Sequence, residues 1–135
     1  MQLVIRGRVQ SGTSQAAHWL SLFNAAYAQK LGIAVFPGSI NVALDEPFDW
    51  FDARWETAVI SFGREEYGGE RDILLLPCSL STAPGVSAFL WSTTTAARDA
   101  RERLLAEVIA PVGLRATYGL RDCDPVAIEL KLGGL

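Results

Sequence analysis

Two side chains that carry hard oxygen ligands stand two positions apart in Gly38-Ser39-Ile40-Asn41. Residues i and i+2 of a strand project from one face. A hydroxyl oxygen and an amide oxygen so placed suit Mg²⁺, with phosphate and water completing its shell. The same pair would also serve a plain turn, each side chain bonding the nearby backbone. A second candidate is Ser11-Gly12-Thr13-Ser14-Gln15-Ala16. Small residues between a strand and a helix leave N–H groups open to an anion, or simply cap the helix. It is not a Walker loop, because no Gly-Lys-Ser/Thr follows. Arg115, in Pro111-Val112-Gly113-Leu114-Arg115, offers a fork that matches phosphate or a surface ion pair. Glu107 stands among apolar neighbours in Leu104-Leu105-Ala106-Glu107-Val108-Ile109. A desolvated carboxylate there could accept from a substrate hydroxyl or act as a base; an exposed helix carboxylate paired with Arg103 is the alternative. His18 has no nucleophile tied to it and reads as structural. Phe48, Trp50, Phe51 and Trp55 could line a flat-ring pocket or pack as core.

The elements that must hold these residues are mostly short strands. Leu3 to Val9 reads as a first strand, broken at Gly12. A helix from Ala16 to Lys30 follows, capped by Thr13 or Ser14, with Trp19, Leu22, Phe23 and Ala26 on one face and Gly32 as its stop. Phe36-Pro37-Gly38 is a turn into a strand from Ile40 to Leu44. Asp45 to Glu56 reads as an irregular aromatic loop. Strands are expected at Ala58–Phe62, Asp72–Pro77 and Val86–Trp91, with a turn at Gly68-Gly69. A second helix is expected from Ala96 to Ala110, with Asp99 and Arg103 as a four-residue charge pair, ended by Pro111. Val126, Ile128 and Leu130 alternate as a last strand. Strands and helices do not interleave one-for-one, which argues against a doubly wound sheet. The expected class is mainly β with two helices (α+β), a small closed barrel.

With 135 residues, 50% of them hydrophobic and 20% charged, the chain is expected to be a single globular domain over 1–135. A net charge of -3 argues against a nucleic-acid binder. Cys78, Cys123 and His18 have no metal-site spacing, and the cysteines are expected to be buried or half-buried free thiols. No apolar run approaches the ~20 residues of a membrane span, and the first ten residues show no signal peptide. These features together predict a cytoplasmic protein.

Taken in order along the chain, the segments resemble the archaeal-type CTP-dependent riboflavin kinases. The matching runs are Gly7-Arg8-Val9-Gln10-Ser11-Gly12-Thr13-Ser14-Gln15-Ala16 followed by Trp19-Leu20, then Pro37-Gly38-Ser39-Ile40-Asn41-Val42 and Tyr67-Gly68-Gly69. Glu107-Val108-Ile109-Ala110-Pro111, Leu114-Arg115-Ala116 and Leu120-Arg121-Asp122-Cys123-Asp124 complete the match. The resemblance implies a six-stranded cradle-loop β-barrel that transfers the CTP γ-phosphate to riboflavin, giving FMN. It implies that Gly12, Thr13, Ser14, Gln15, Ala16 and Ala17, with Val112, Gly113, Leu114 and Arg115, bind the nucleotide. It implies that Ser39 and Asn41 hold Mg²⁺, that Thr95 and Glu107 contact the flavin, and that Glu107 is catalytic. The chain departs from the family pattern at Ser14 and Ala16, where glycines are expected, and at Ala17, expected basic. It departs also at Ala116, expected glutamate, and at Cys123, expected glycine. A non-catalytic flavin- or nucleotide-binding or regulatory relative on the same barrel is the alternative.

Overall fold

The computed structural model describes residues 3–11 and 15–132, with residues 15–18 described in backbone only. In chain order the elements are β1 (Leu3–Gln10), α1 (Gln15–Leu22), α2 (Asn24–Leu31), β2 (Ile40–Leu44), β3 (Ile60–Phe62), α3 (Arg64–Tyr67) and β4 (Ile73–Leu80). They continue with β5 (Ala88–Thr93), α4 (Thr94–Ala97), β6 (Leu105–Ile109), α5 (Leu114–Thr117) and β7 (Pro125–Leu130). The sheet order is β3-β4-β5-β6-β2-β1-β7, and β7 also pairs with β4. Every pairing is antiparallel. Six strands therefore close a barrel, and β3 adds an edge strand to β4.

Two residues show how the strands bend far enough to close. β4 pairs with β3 through Ile73–Leu75 and with β7 through Cys78–Leu80. Pro77 lies between these two pairings, at the end of the β7 ladder, where a proline is tolerated; its carbonyl accepts from Lys131 N at 2.8 Å, and the reciprocal bond is the one its ring forgoes. On the other side, Gly7 of β1 passes so close to β2 that a Cβ would lie 2.2 Å from the Ala43 carbonyl oxygen. Any other residue would push the two strands apart at this corner.

The strands separate two cores. Val9, Val42, Val108, Leu90, Leu76 and Ile128 point into the barrel and are buried. The loop after β2 caps one end of it with Phe48, Trp50 and Trp55, Phe48 and Trp55 stacking at a centroid distance of 5.0 Å. The segment is the irregular loop expected, with most of its residues exposed, but three of its four aromatic rings belong to the core and only Phe51 of the four is exposed. The second core lies outside the barrel. There Leu20 and Tyr27 of the helix pair cover Ile73, Leu75, Trp91 and Ile109 of the sheet.

The helices differ most from expectation. The first is two helices that meet at Phe23. Gly32 does end α2, with φ at 73° and its N–H donating to Ala28 O at 2.8 Å. The caps expected at Thr13 or Ser14 lie outside the described residues, and so does the side chain of His18. The helix expected over Ala96–Ala110 is absent. α4 ends at Ala97, one 3-10 turn spans Glu102–Leu104, and β6 follows. That stretch is rich in helix formers, but β6 fills the gap between β2 and β5, and closing the barrel outweighs the weak propensity term. Arg103 N–H still donates to the Asp99 carbonyl at 3.1 Å, but their side chains do not form the expected charge pair. Asp99 accepts from the N–H groups of Arg101 and Glu102, and Arg103 Nε donates to Ala97 O. Among the described residues five α-helices replace the expected two, three of them only four residues long. Both cysteines are free; Cys78 is buried and Cys123 exposed rather than half-buried. Burial pushes the Cys78 thiol up to about 12.

Candidate active site

The strand register builds one row of residues on the outer face of the barrel. Gln10 pairs with Asn41, Asn41 with Glu107, Glu107 with Trp91, and Trp91 with Leu75. Because side chains alternate, the residues between them, Val9, Val42 and Ala106, face the barrel interior. The row is covered toward its middle: Asn41 is 6% exposed and Glu107 8%. Two apolar strands with a buried amide and a buried carboxylate side by side need a reason, since such groups are costly to desolvate.

Ser39 stands two residues before Asn41 on the same face, and its Oγ donates to Glu107 Oε1 at 3.1 Å. Asn41 Oδ1 is buried and accepts no hydrogen bond. An orphaned buried acceptor costs ~1–3 kcal/mol, and a hard cation or a ligand donor would satisfy it. Behind Glu107, Trp91 Nε1 donates to the Tyr27 hydroxyl at 2.8 Å. Burial drives the Tyr27 hydroxyl far above its ordinary range, and the nearby Glu107 charge adds to that rise. The phenol is therefore neutral and fixes the indole that flanks Glu107.

Arg115 sits at the end of the barrel where β1 leaves and β2 begins. Its Nη2 donates to Asp122 Oδ1 at 2.7 Å and its Nη1 to Ser11 Oγ at 3.4 Å. Ser11 Oγ in turn donates to both Asp122 oxygens at 2.8 and 3.0 Å. The Ser11 hydroxyl, and then the Arg115 guanidinium, hold the Asp122 carboxyl below the usual carboxylate range. This cluster is exposed, unlike the Asn41–Glu107 pair. A cleft of about 160 Å³ joins the two regions, with Gly38, Ser39, Val112, Gly113, Leu114 and Arg115 in its lining.

The fold thus gathers Ser39, Asn41 and Glu107 on one face and brings Val112, Gly113, Leu114 and Arg115 to the same cleft as Ser39. Glu107 does so from a strand, not from the helix expected, and Ser39 rather than Arg103 is its hydrogen-bond partner. Thr95 is apart from them. It lies on α4, beyond the opposite end of the barrel, exposed, and accepts from Arg71 Nη1 at 3.5 Å. Gly12, Thr13 and Ser14 lie outside the described residues; Gln15, Ala16 and Ala17 begin α1. Tyr27, Trp91 and Asp122 escaped the sequence reading. Strand pairing puts Trp91 beside Glu107, and no sequence spacing announces that. Among the described residues no group of three or more His, Cys, Asp or Glu is placed to hold a metal. The oxygens of Ser39, Asn41 and Glu107 form the donor set that fits a hard cation.

The family model described as "CTP-dep_RFKase: Domain of unknown function DUF120" matches residues 9–130. The chain belongs to this family. It is 33% identical over 133 residues to a riboflavin kinase of Methanocella arvoryzae and 30% over 135 residues to one of Methanospirillum hungatei. Those matches take in 95% and 96% of this chain but only 57% and 58% of the relatives. A riboflavin kinase of Methanothermobacter thermautotrophicus is 31% identical over 126 residues, covering 90% of this chain and 94% of that protein. One position at which the resemblance implies a glycine has a structural signature. Cys123 has φ at 71°, the one non-glycine residue with positive φ among the described residues, where a glycine would be unstrained.

Proposed function

We propose that this chain is a riboflavin kinase that transfers the γ-phosphoryl group of CTP, with Mg²⁺, to the terminal ribityl hydroxyl of riboflavin. The observation that carries the reading is the orphaned Asn41 Oδ1 beside the Ser39–Glu107 hydrogen bond, next to the cleft that Arg115 lines. Phosphoryl transfer asks chiefly for positioning and charge neutralisation. Asn41 Oδ1 and Ser39 Oγ would hold the cation, which would neutralise the phosphate oxygens when bound. Arg115, with Val112, Gly113 and Leu114, would bind the nucleotide from one side, and Gly12, Thr13, Ser14, Gln15, Ala16 and Ala17 from the other. Glu107 would orient the ribityl hydroxyl and accept its proton as the oxygen bonds the γ-phosphorus. The bond to the β-phosphate oxygen then breaks, and CDP leaves. Thr95 follows Trp91 by four residues, at most ~14 Å of chain, so a flavin ring extending from Glu107 would reach toward it. No described helix is long and apolar enough to cross a membrane, and riboflavin and CTP are water-soluble, which suits a cytoplasmic enzyme.

Incubation with riboflavin, CTP and Mg²⁺, followed by chromatography, tests the proposal. FMN and CDP should appear in equal amounts, and CTP should exceed ATP as donor. Flavin and nucleotide binding without FMN would instead assign a non-catalytic relative. Folded protein that binds neither would end the kinase reading.

A further inference from the structure

Phe36 is an exposed aromatic side chain, 45% accessible, at the mouth of the cleft that holds Ser39 and Arg115. Its backbone is tied down on both sides. Its N–H donates to Ala110 O at 2.8 Å, and its carbonyl accepts from Gly38 N at 2.8 Å. The ring itself rests on two glycines. A Cβ built on Gly38 would lie 2.9 Å from Phe36 Cε2, and one built on Gly113 would lie 3.1 Å from both Cε2 and Cζ. Gly113 has φ at -72°, a conformation open to any residue, and Gly38 has no positive φ either. Neither glycine is demanded by the backbone. Both leave room for the Phe36 ring, one from each wall of the cleft.

A ring held this way is rigid, partly bare, and within the same cleft as a guanidinium. An aromatic face is a general stacking surface for a heteroaromatic base. We propose that Phe36 is the platform on which the nucleobase of the phosphate donor stacks, with Gly38 and Gly113 as the seats that set its angle. The proposal rests on the kinase reading for the identity of the ligand. Free riboflavin has a flat ring but no anion, whereas a nucleoside triphosphate brings a ring and a polyanion together, matching Phe36 and Arg115 in one cleft. The residue acts on donor affinity and is remote in role from the proton transfer at Glu107.

The test compares wild type, Phe36→Leu, Phe36→Trp and Gly113→Ala by calorimetry with CTP and with inorganic tripolyphosphate, and by fluorescence with riboflavin. Circular dichroism checks that each variant is folded. Phe36→Leu should weaken CTP about five- to hundredfold, the range of one base–aromatic stack. It should leave tripolyphosphate and riboflavin unchanged, and Phe36→Trp should retain CTP. Gly113→Ala should weaken CTP more when Phe36 is present than in the Phe36→Leu background, the difference reporting the shared ring contact. Unchanged CTP binding in folded Phe36→Leu would overturn the proposal, as would equal losses for CTP and tripolyphosphate. A loss confined to riboflavin would overturn it by assigning the ring to the flavin. Because these are binding readouts, wild type that binds CTP through Phe36 yet makes no FMN would refute the kinase and keep the platform.

Discussion

The Asn41–Glu107 pair and the Arg115–Asp122 cluster lie at one end of the same barrel, yet they are built in opposite ways. The first is buried, sits on paired strands, and contains a polar atom with no partner. The second is exposed, sits on loops and the short helix α5, and has its charges matched by Ser11, Asp122 and Arg115. A buried acceptor without a partner carries a desolvation cost that a bound cation or donor would relieve. An exposed, satisfied cluster gains little from its own ion pair and can exchange Asp122 for another anion at little cost. The contrast suggests that chemistry is organised by the strands, while ligand capture is left to the loops.

The largest effect that would break this contrast is expected at Asn41. Asn41→Ala should lower FMN formation on the order of a hundredfold or more. Its denaturant midpoint should not fall, because the orphaned amide oxygen goes with the side chain. Retained turnover would show that Asn41 is not a ligand. Arg115→Ala should raise the nucleotide KM about tenfold and change stability by less than about 0.5 kcal/mol; a large stability loss would show that the exposed cluster is structural. Behind Glu107, Trp91→Phe should cost about 1–3 kcal/mol in urea unfolding by leaving the Tyr27 hydroxyl without its donor. At Cys123, replacing the residue with glycine should add about 1 kcal/mol by relieving the positive φ. The smallest effect is a pH dependence. The Asp122 carboxyl is held below its unfolded value, so its contribution is complete above that value and fades as pH falls through the folded one. The stability difference between wild type and Asp122→Asn should be flat from pH 5 to 8 and vanish only below about pH 4. A change near pH 6 would point to another group.

Local chemistry made much of the molecule legible. Gly32 as a helix stop, the Ile40–Leu44 alternation and the Ser39–Asn41 spacing all follow from rules that act within a few residues, and all stand in the structure. The segment from Ala96 to Ala110 shows where local rules run out. Its alanines, arginines and leucines favour helix, and Leu105-Ala106-Glu107-Val108-Ile109 fits a helix or a strand equally well, a known ambiguity of short apolar runs. The β-branched Val108-Ile109 before Pro111 was the available hint of a strand. What decided it was the open edge between β2 and β5, whose unpaired backbone groups only a strand can satisfy.

By itself the sequence determined which residue types were available for phosphate and metal chemistry, and that the chain would be mainly β. Those depend on composition, spacing and turn residues, which are local. Only the tertiary structure decided that Glu107 faces Ser39, that Trp91 and Tyr27 back it, and that Phe36 rests against Gly113 from across the cleft. Each of these joins residues far apart in the chain through strand register or barrel closure. A shift of one residue in that register would have turned Glu107 into the barrel interior.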